Sequence, residues 1–556
     1  MSLPSLALVF LVLIALAYRF YGGWVARQLA VDPSRVTPAH RQSDGVDFVP
    51  TPPFYLFAQH FSAIAAAGPI AGPILAAQSF GWLPALLWIG LGVVLIGAVH
   101  DFASLTASVR HEAGSIADIA GRQLGRGAGL AVMAFISIAL VYIIVAFADI
   151  TAASFVAAPE ELAGRALDFH PGGAVAAASV FFLGISLLMG VVQRYLNPPL
   201  WLLTLLFVPA TLGAVWAATY ASHWFTFDAK TWALLIMGYC GLASVAPVWL
   251  LLQPRGYLGG FVLYGALGLG VIGIFFGGYE IAQPAFRGWH SGGATGSLLP
   301  FLFVTIACGA CSGFHGLVCS GTTSKQIDRE SHLHPIGYGA MLAEAFVAFV
   351  ALAIVMIASD AQLAGLKPGT IYGNGIGEFL TLLIGRENLG FAITFGAMAF
   401  STFVFDTLDV STRLGRYLLQ ELSGRKGFAA SAAATLVMIG VPALILWHGD
   451  EGGWLRFWTL FGASNQLLAA LTLLTITLWL YRARRRIAFT LLPMLFVLVV
   501  TFWALAELVV ANFKASKGFD IAFFNAAASL ALLGLAIYVV LAALKQVRRE
   551  RRTTSL

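Results

Sequence analysis

Apolar runs about 20 residues long follow one another along the whole chain, separated by short polar or basic loops. Fifteen such runs are counted, from Leu3–Phe20 to Phe523–Leu544. Each is long enough to predict a membrane-crossing helix. The pattern therefore predicts an all-α polytopic membrane protein with about 15 transmembrane helices. One further apolar segment, Ile376–Ile384, is too short to span and is expected at the membrane interface.

Two of the runs are interrupted. Phe54–Ala77 contains HFSAIAAAGPIAGP at His60–Pro73, with Gly-Pro pairs at Gly68-Pro69 and Gly72-Pro73. Proline removes a backbone donor and clashes with the preceding turn, so the doubled pairs predict a break. Leu298–Val318 runs into CGACSGFHGLVCSGTTSK at Cys308–Lys325, rich in Gly, Ser and Thr. Irregular backbone at membrane depth survives only where it packs on protein or lines a cavity. A pair of interrupted spans points to the binding site of a secondary transporter.

Loop charges set the expected orientation. If the N-terminus lies outside, alternate loops and the tail hold 24 of the 32 Lys and Arg residues, and the opposite side holds eight. That bias predicts a cytoplasmic C-terminus and supports an odd number of spans. The two broken runs then cross in opposite senses, as an inverted repeat requires. The expected fold is a leucine-transporter-like five-plus-five core with extra spans. Residues 1–53 form a first span and a cytoplasmic connector, and 54–219 the first repeat. Residues 220–297 form a two-helix insert, 298–480 the second repeat, and 481–556 two last spans with a basic tail.

Composition narrows the class. Hydrophobic residues make up 59% of the chain and charged residues 10%, against about 25% charged in soluble domains. The net charge of +6 therefore concerns membrane orientation, and no nucleic-acid partner is expected. Four Cys residues, three of them in Cys308–Cys319, give no secreted disulfide framework. The first run lacks a basic leader and a cleavage site, and is read as a retained span. No GxxxxGK[ST] motif is present, which argues against an ATP-driven pump. No cofactor is expected.

Ionisable groups inside spans are costly and by default functional. Asp406, Asp409 and Arg413 share one helix face at i, i+3 and i+7. They make an ion or proton site with Thr412, or else a structural Asp409–Arg413 pair. Asp101 and Asp149 are further coupling candidates. Glu344 reads as pairing with a loop cation, and Glu507 as structural. His60 and His315 lie on the broken runs, and histidine carries protons near neutrality. Gly68, Pro69, Gly72, Ser312, Gly313, His315 and Ser320 make the candidate substrate cradle, with His60 beside them. Asn465 and Gln466 serve either the substrate or the free carbonyls of a broken helix. Cys308, Cys311, His315 and Cys319 share a face, but small residues there suit tight helix packing, and no metal site is assigned.

Several stretches then carry a resemblance. They include VDPSRVTPA at Val31–Ala39, HFSAIAAAGPIAGPILAAQ at His60–Gln78 and PVWLLLQPRGYL at Pro247–Leu258. Others are ACGACSGFHGLVCSGTTSKQI at Ala307–Ile327, TLDVSTR at Thr407–Arg413 and LFGASNQLLA at Leu460–Ala469. In order, over most of the chain, they resemble the carbon starvation protein A family of bacterial inner-membrane transporters. The resemblance implies import of peptides or pyruvate under carbon starvation, by proton symport, and a leucine-transporter-like fold. Na+ is the second choice of coupling ion. Cys311, Cys319, His100 and Asp406 depart from the family pattern. The rival reading is a membrane nutrient sensor without net transport.

Overall fold

The computed structural model describes residues 2–44, 48–156, 169–247, 249–290, 296–425, 427–449 and 454–554. Arg165 and Lys426, which enter the charge tally, lie outside the described residues. Among those described the secondary structure is helical, with only isolated bridges. Twelve helices are long and apolar enough to cross a membrane. The three other apolar runs fold differently. Phe54–Ala77 is a pair of helices bent by 44°. Leu298–Val318 becomes two helices of 8 and 9 residues. The run at Trp232 gives a 17-residue helix.

In chain order the helices are α1 (Leu3–Leu29), α2 (Pro53–Ile64), α3 (Gly68–Phe80), α4 (Trp82–Arg110), α5 (Ile116–Leu124) and α6 (Arg126–Phe155). Then come α7 (Pro171–Leu196), α8 (Leu200–Ala221), α9 (Ala229–Val245) and α10 (Leu252–Phe276). The second half holds α11 (Leu298–Thr305), α12 (Gly313–Gly321), α13 (Glu330–Ile357), α14 (Pro368–Ile384) and α15 (Leu389–Ser423). It ends with α16 (Phe428–His448), α17 (Trp454–Arg482), α18 (Ala488–Ala515) and α19 (Ile521–Thr554).

The longest helix, α15, packs along α6 near the middle of the bundle. Around them the packing pairs off. α10 lies on α2, α13, α14 and α15, while α17 lies on α11, α4, α5 and α6. On the rim, α1, α8 and α16 expose large apolar side chains such as Leu8, Trp216 and Leu436. That is the surface hydrocarbon solvates.

The segment expected at the interface proves to be the end of α14. This helix starts at Pro368, and Ile371, Tyr372 and Phe379 are buried in the bundle. Within the segment Ile376 and Phe379 are buried, while Leu382 and Leu383 are exposed.

The described residues of the connector after α1 are tied to the bundle. Its Thr51 amide donates to Gln326 O (3.1 Å) and its Asp32 amide to Glu330 Oε2 (2.9 Å). Arg110, ending α4, grips the same Glu330 carboxylate with Nε (2.6 Å) and Nη2 (2.8 Å). The connector thus meets the loop after α12 and, through Glu330, joins the start of α13 to α4.

Candidate functional site

The two helix breaks meet in the middle of the bundle. The chain leaves helical geometry at Ala65–Ala67 and resumes at Gly68, with Pro69 inside the first turn of α3. Proline is pre-organised there, because its missing N–H has no partner in a first turn. The second Gly-Pro pair does not break the chain, for Pro73 sits within α3. The other break spans Ile306–Ser312. Gly68 packs against Cys308, and a Cβ there would overlap its side chain. A Cβ on Gly72 would lie 2.6 Å from Thr305 O and 3.2 Å from Ile306 Cα. The glycines therefore let the breaks touch, and the candidate cradle is closed by protein in this conformation.

Buried polar side chains serve the freed backbone. Trp88 Nε1 donates to Ile306 O (3.2 Å), Trp458 Nε1 to Thr305 O (3.3 Å) and Gln466 Nε2 to Phe303 O (2.7 Å). Asn465 Oδ1 accepts from Phe314 N (2.8 Å) at the start of α12, and its amide donates to Ser312 Oγ (3.0 Å). Gln466 thus serves a freed carbonyl, while Asn465 serves the Phe314 amide and Ser312 instead of a carbonyl. Such groups left bare in hydrocarbon would each cost several kcal/mol, on the order of a lost hydrogen bond or more.

Below the break, three helices join four ionisable side chains with no solvent contact. His100 Nδ1 lies 2.7 Å from Asp101 Oδ1 on α4. Asp101 Oδ2 lies 2.8 Å from His315 Nδ1 on α12. His315 Nε2 lies 3.4 Å from Glu344 Oε2 on α13, close enough for charge attraction but outside hydrogen-bond geometry. All four are buried. Glu344 thus faces a histidine of the broken helix, not the expected loop cation, because its helix extends back to Glu330. His60 Nδ1 lies 2.9 Å from Thr323 Oγ1. Nε2 of His60, of His100 and of His315 lacks a hydrogen-bond partner among the described residues.

A second charged cluster surrounds Arg255 of α10. Its guanidinium pairs with Asp409 Oδ2, and its Nε lies 3.4 Å from Asp406 Oδ1. Tyr239 OH donates to Asp409 Oδ2 (2.8 Å) and Ser62 Oγ to Asp406 Oδ2 (3.3 Å). The anticipated Asp409–Arg413 pair is absent: Arg413 turns away to donate to Ala243 O and Ala246 O. Arg255, counted above as a loop cation, is 2% exposed inside the bundle. Two acids one turn apart on an apolar helix demanded a buried cation, and that was the available signal.

The remaining candidates are scattered. Thr412 Oγ1 bonds to Leu408 O of its own helix (2.8 Å). Ser320 Oγ bonds to Gly316 O (2.7 Å) and accepts from Ile116 N (3.3 Å). A Cβ on Gly313 would meet Leu468 and Ala469 of α17. Asp149, partly exposed near the end of α6, feels the charge of Lys367 and belongs to neither cluster. Glu507 accepts from Trp503 Nε1 (2.6 Å) on its own helix α18. Among the described residues no group of three or more His, Cys, Asp or Glu could hold a metal ion.

One large polar cavity adjoins this region. It holds about 640 Å3 and is lined by Gln59, Ser320, Lys325, Gln326, Arg413 and Glu421, among others. It begins beside α2, the first half of the first broken helix, and the end of the second.

Residues 4–373 and 361–504 match the carbon starvation protein CstA family. The chain belongs to that family. It is 34% identical to the peptide transporter CstA of Campylobacter jejuni, over 90% of this chain and 80% of that one. It is 32% identical to the Bacillus subtilis peptide transporter CstA, over 100% and 99%. It is 31% identical to the pyruvate/proton symporter BtsT of Escherichia coli, over 88% and 79%. Among solved structures it resembles an Eremococcus coleocola manganese transporter (14% identity, 91% and 99% covered, TM-score 0.43). A Na+-coupled sialic acid symporter is also similar (12%, 96% and 97%, TM-score 0.44). The protein is a multi-pass bacterial membrane transporter and not an enzyme, and the sensor reading is not favoured.

Proposed function

We propose that this chain imports a small carboxylate, a peptide or pyruvate, across the bacterial cytoplasmic membrane by proton symport. The observation that carries the reading is the buried series His100–Asp101–His315–Glu344. His315 belongs to the second broken helix, so a proton taken up there changes the charge on the element that moves. A proton on this helix adds charge attraction to Asp101, whose Oδ2 lies 2.8 Å from His315 Nδ1. Proton occupancy thereby sets how firmly α12 is held to α4. A charge carried inward gains about 2.3 kcal/mol per 100 mV of membrane potential.

The substrate route in this reading is the polar cavity. Lys325 and Arg413 in its wall suit a carboxylate. The Arg-rich loops support a cytoplasmic position for that side, with the N-terminus outside. Alternating access then opens the closed contact between Gly68–Gly72 and Thr305–Cys308 on the other side.

A five-plus-five inverted repeat is the fold we propose, with one change of boundary. If α2, α4, α5 and α6 correspond to α11, α13, α14 and α15, then α10 corresponds to α17, because their packing partners match under that exchange. The first repeat then ends on α10, with α7, α8 and α9 between α6 and α10 where the second repeat has α16 alone, so two extra helices lie inside the first repeat instead of between the repeats.

Uptake into proteoliposomes tests the function. Labelled pyruvate and a labelled dipeptide would be offered under an imposed pH gradient or Na+ gradient. Accumulation of either under the pH gradient, lost in His315→Gln, is expected. Accumulation driven only by Na+, or by neither gradient, overturns the reading.

A further inference from the structure

Arg255 lies in a cage of oxygens that does not need an arginine. Asp406 Oδ1 (3.4 Å from Nε) and Asp409 Oδ2 face the guanidinium, and Thr402 O lies 3.5 Å from its Nη2. Ser62 Oγ and Tyr239 OH complete the shell through the two carboxylates. Oxygen-only surroundings of this kind, with two anions, are what hard metal cations take. Gly259, one turn after Arg255, admits Asp406 to the surface of α10: a Cβ there would lie 3.0 Å from Asp406 Oδ2. The guanidinium stacks against Phe405 (5.3 Å) and Tyr239 (5.6 Å), which fixes its plane. Two carboxylates against one guanidinium leave the cage one negative charge in excess. Asp409 Oδ1 is buried with no hydrogen-bond partner among the described residues.

We propose that Arg255 is a built-in cation. It occupies, on a tether, an intramembrane cage formed by Asp406, Asp409, Thr402 O and their hydroxyl partners that otherwise binds an alkali metal ion. A tethered cation cannot be released with substrate, so no Na+ gradient acts through this cage. Arg255 thereby determines ion specificity, and the proton series on α4, α12 and α13 is left as the coupling element. The inference rests on the symport reading for its meaning, but the cage is tested by binding alone.

The experiment is equilibrium binding of radiolabelled Na+ to the purified full chain in detergent, beside Arg255→Met, Arg255→Lys and Arg255→Met with Asp409→Asn. Wild type and Arg255→Lys are expected to show no saturable binding. Arg255→Met is expected to gain it, and the double variant to lose it again. In parallel, NaCl but not choline chloride raises the melting temperature of Arg255→Met alone. Saturable Na+ binding by wild type overturns the proposal. So does an Arg255→Met chain that neither binds Na+ nor is stabilised by it, including one that stays unfolded in NaCl. Because no transport is measured, failure here leaves proton-coupled import standing, and failure of uptake leaves the cage standing.

Discussion

His315 Nδ1 lies 2.8 Å from Asp101 Oδ2, and neither side chain touches solvent. The two residues are 214 positions apart in the chain. The contact binds the second broken helix to α4, so it constrains whichever motion moves α12.

Asp101→Asn is expected to abolish accumulation under a pH gradient while leaving exchange of labelled for unlabelled substrate across the membrane. A loss of net uptake of at least tenfold, equivalent to about 1.4 kcal/mol, is anticipated. Measuring both modes in one proteoliposome preparation separates lost coupling from lost folding: equal losses in both would count against a coupling role.

Gly72→Ala should lower stability and transport together. The added methyl meets the Thr305 carbonyl at 2.6 Å and Ile306 Cα at 3.2 Å, both backbone. Overpacking of this kind costs about 1–3 kcal/mol. Gly184, with nothing within 4 Å of an added Cβ, serves as the neutral control. Melting temperatures of the two alanine variants would check this; equal values would show that the breaks have room.

Glu330→Gln is expected to loosen the connector. The carboxylate accepts two bonds from Arg110 and one from the Asp32 amide, and it is 1% exposed. Removing one partner of a buried pair leaves an uncompensated charge and costs about 3 kcal/mol. Limited proteolysis between residues 30 and 53 should become faster in the variant. An unchanged cleavage rate would remove the connector's tie from the account.

His111, just past α4, should make stability fall on acidification. Arg482 Nη1 donates to Gln123 Oε1 (2.7 Å), which orients the amide so that its Nε2 donates to His111 Nε2 (3.2 Å). The other ring nitrogen, Nδ1, donates to Ala107 O (2.7 Å). The ring is therefore neutral, and protonation would set two donors against each other. Burial, with help from the charge of Arg122, holds its pKa below the ordinary value. The unfolded chain then binds the proton first, so stability declines as pH falls through about 6.5 and levels off below the folded value. Melting temperature against pH should show this decline in wild type and less of it in His111→Gln.

The chain's own order of residues determined that this is a helical membrane protein with two interrupted spans. Those features are local: hydrocarbon selects apolar runs, and Gly-Pro and Gly-Ser stretches cannot continue a helix without outside partners. The capping role of Gln466 was legible for the same reason, since freed carbonyls need donors, whereas Asn465 serves the Phe314 amide and Ser312 instead. Which charges meet was decided only by the tertiary structure. Asp409 had a cation four residues away in Arg413, yet pairs with Arg255, 154 positions distant. Glu344 reads as an interfacial acid until α12 is laid against it. A helix's periodicity says which residues share a face. It does not say which neighbour that face meets, and in a bundle of helices nearly alike in their apolar character, shape and the few buried charges make that choice.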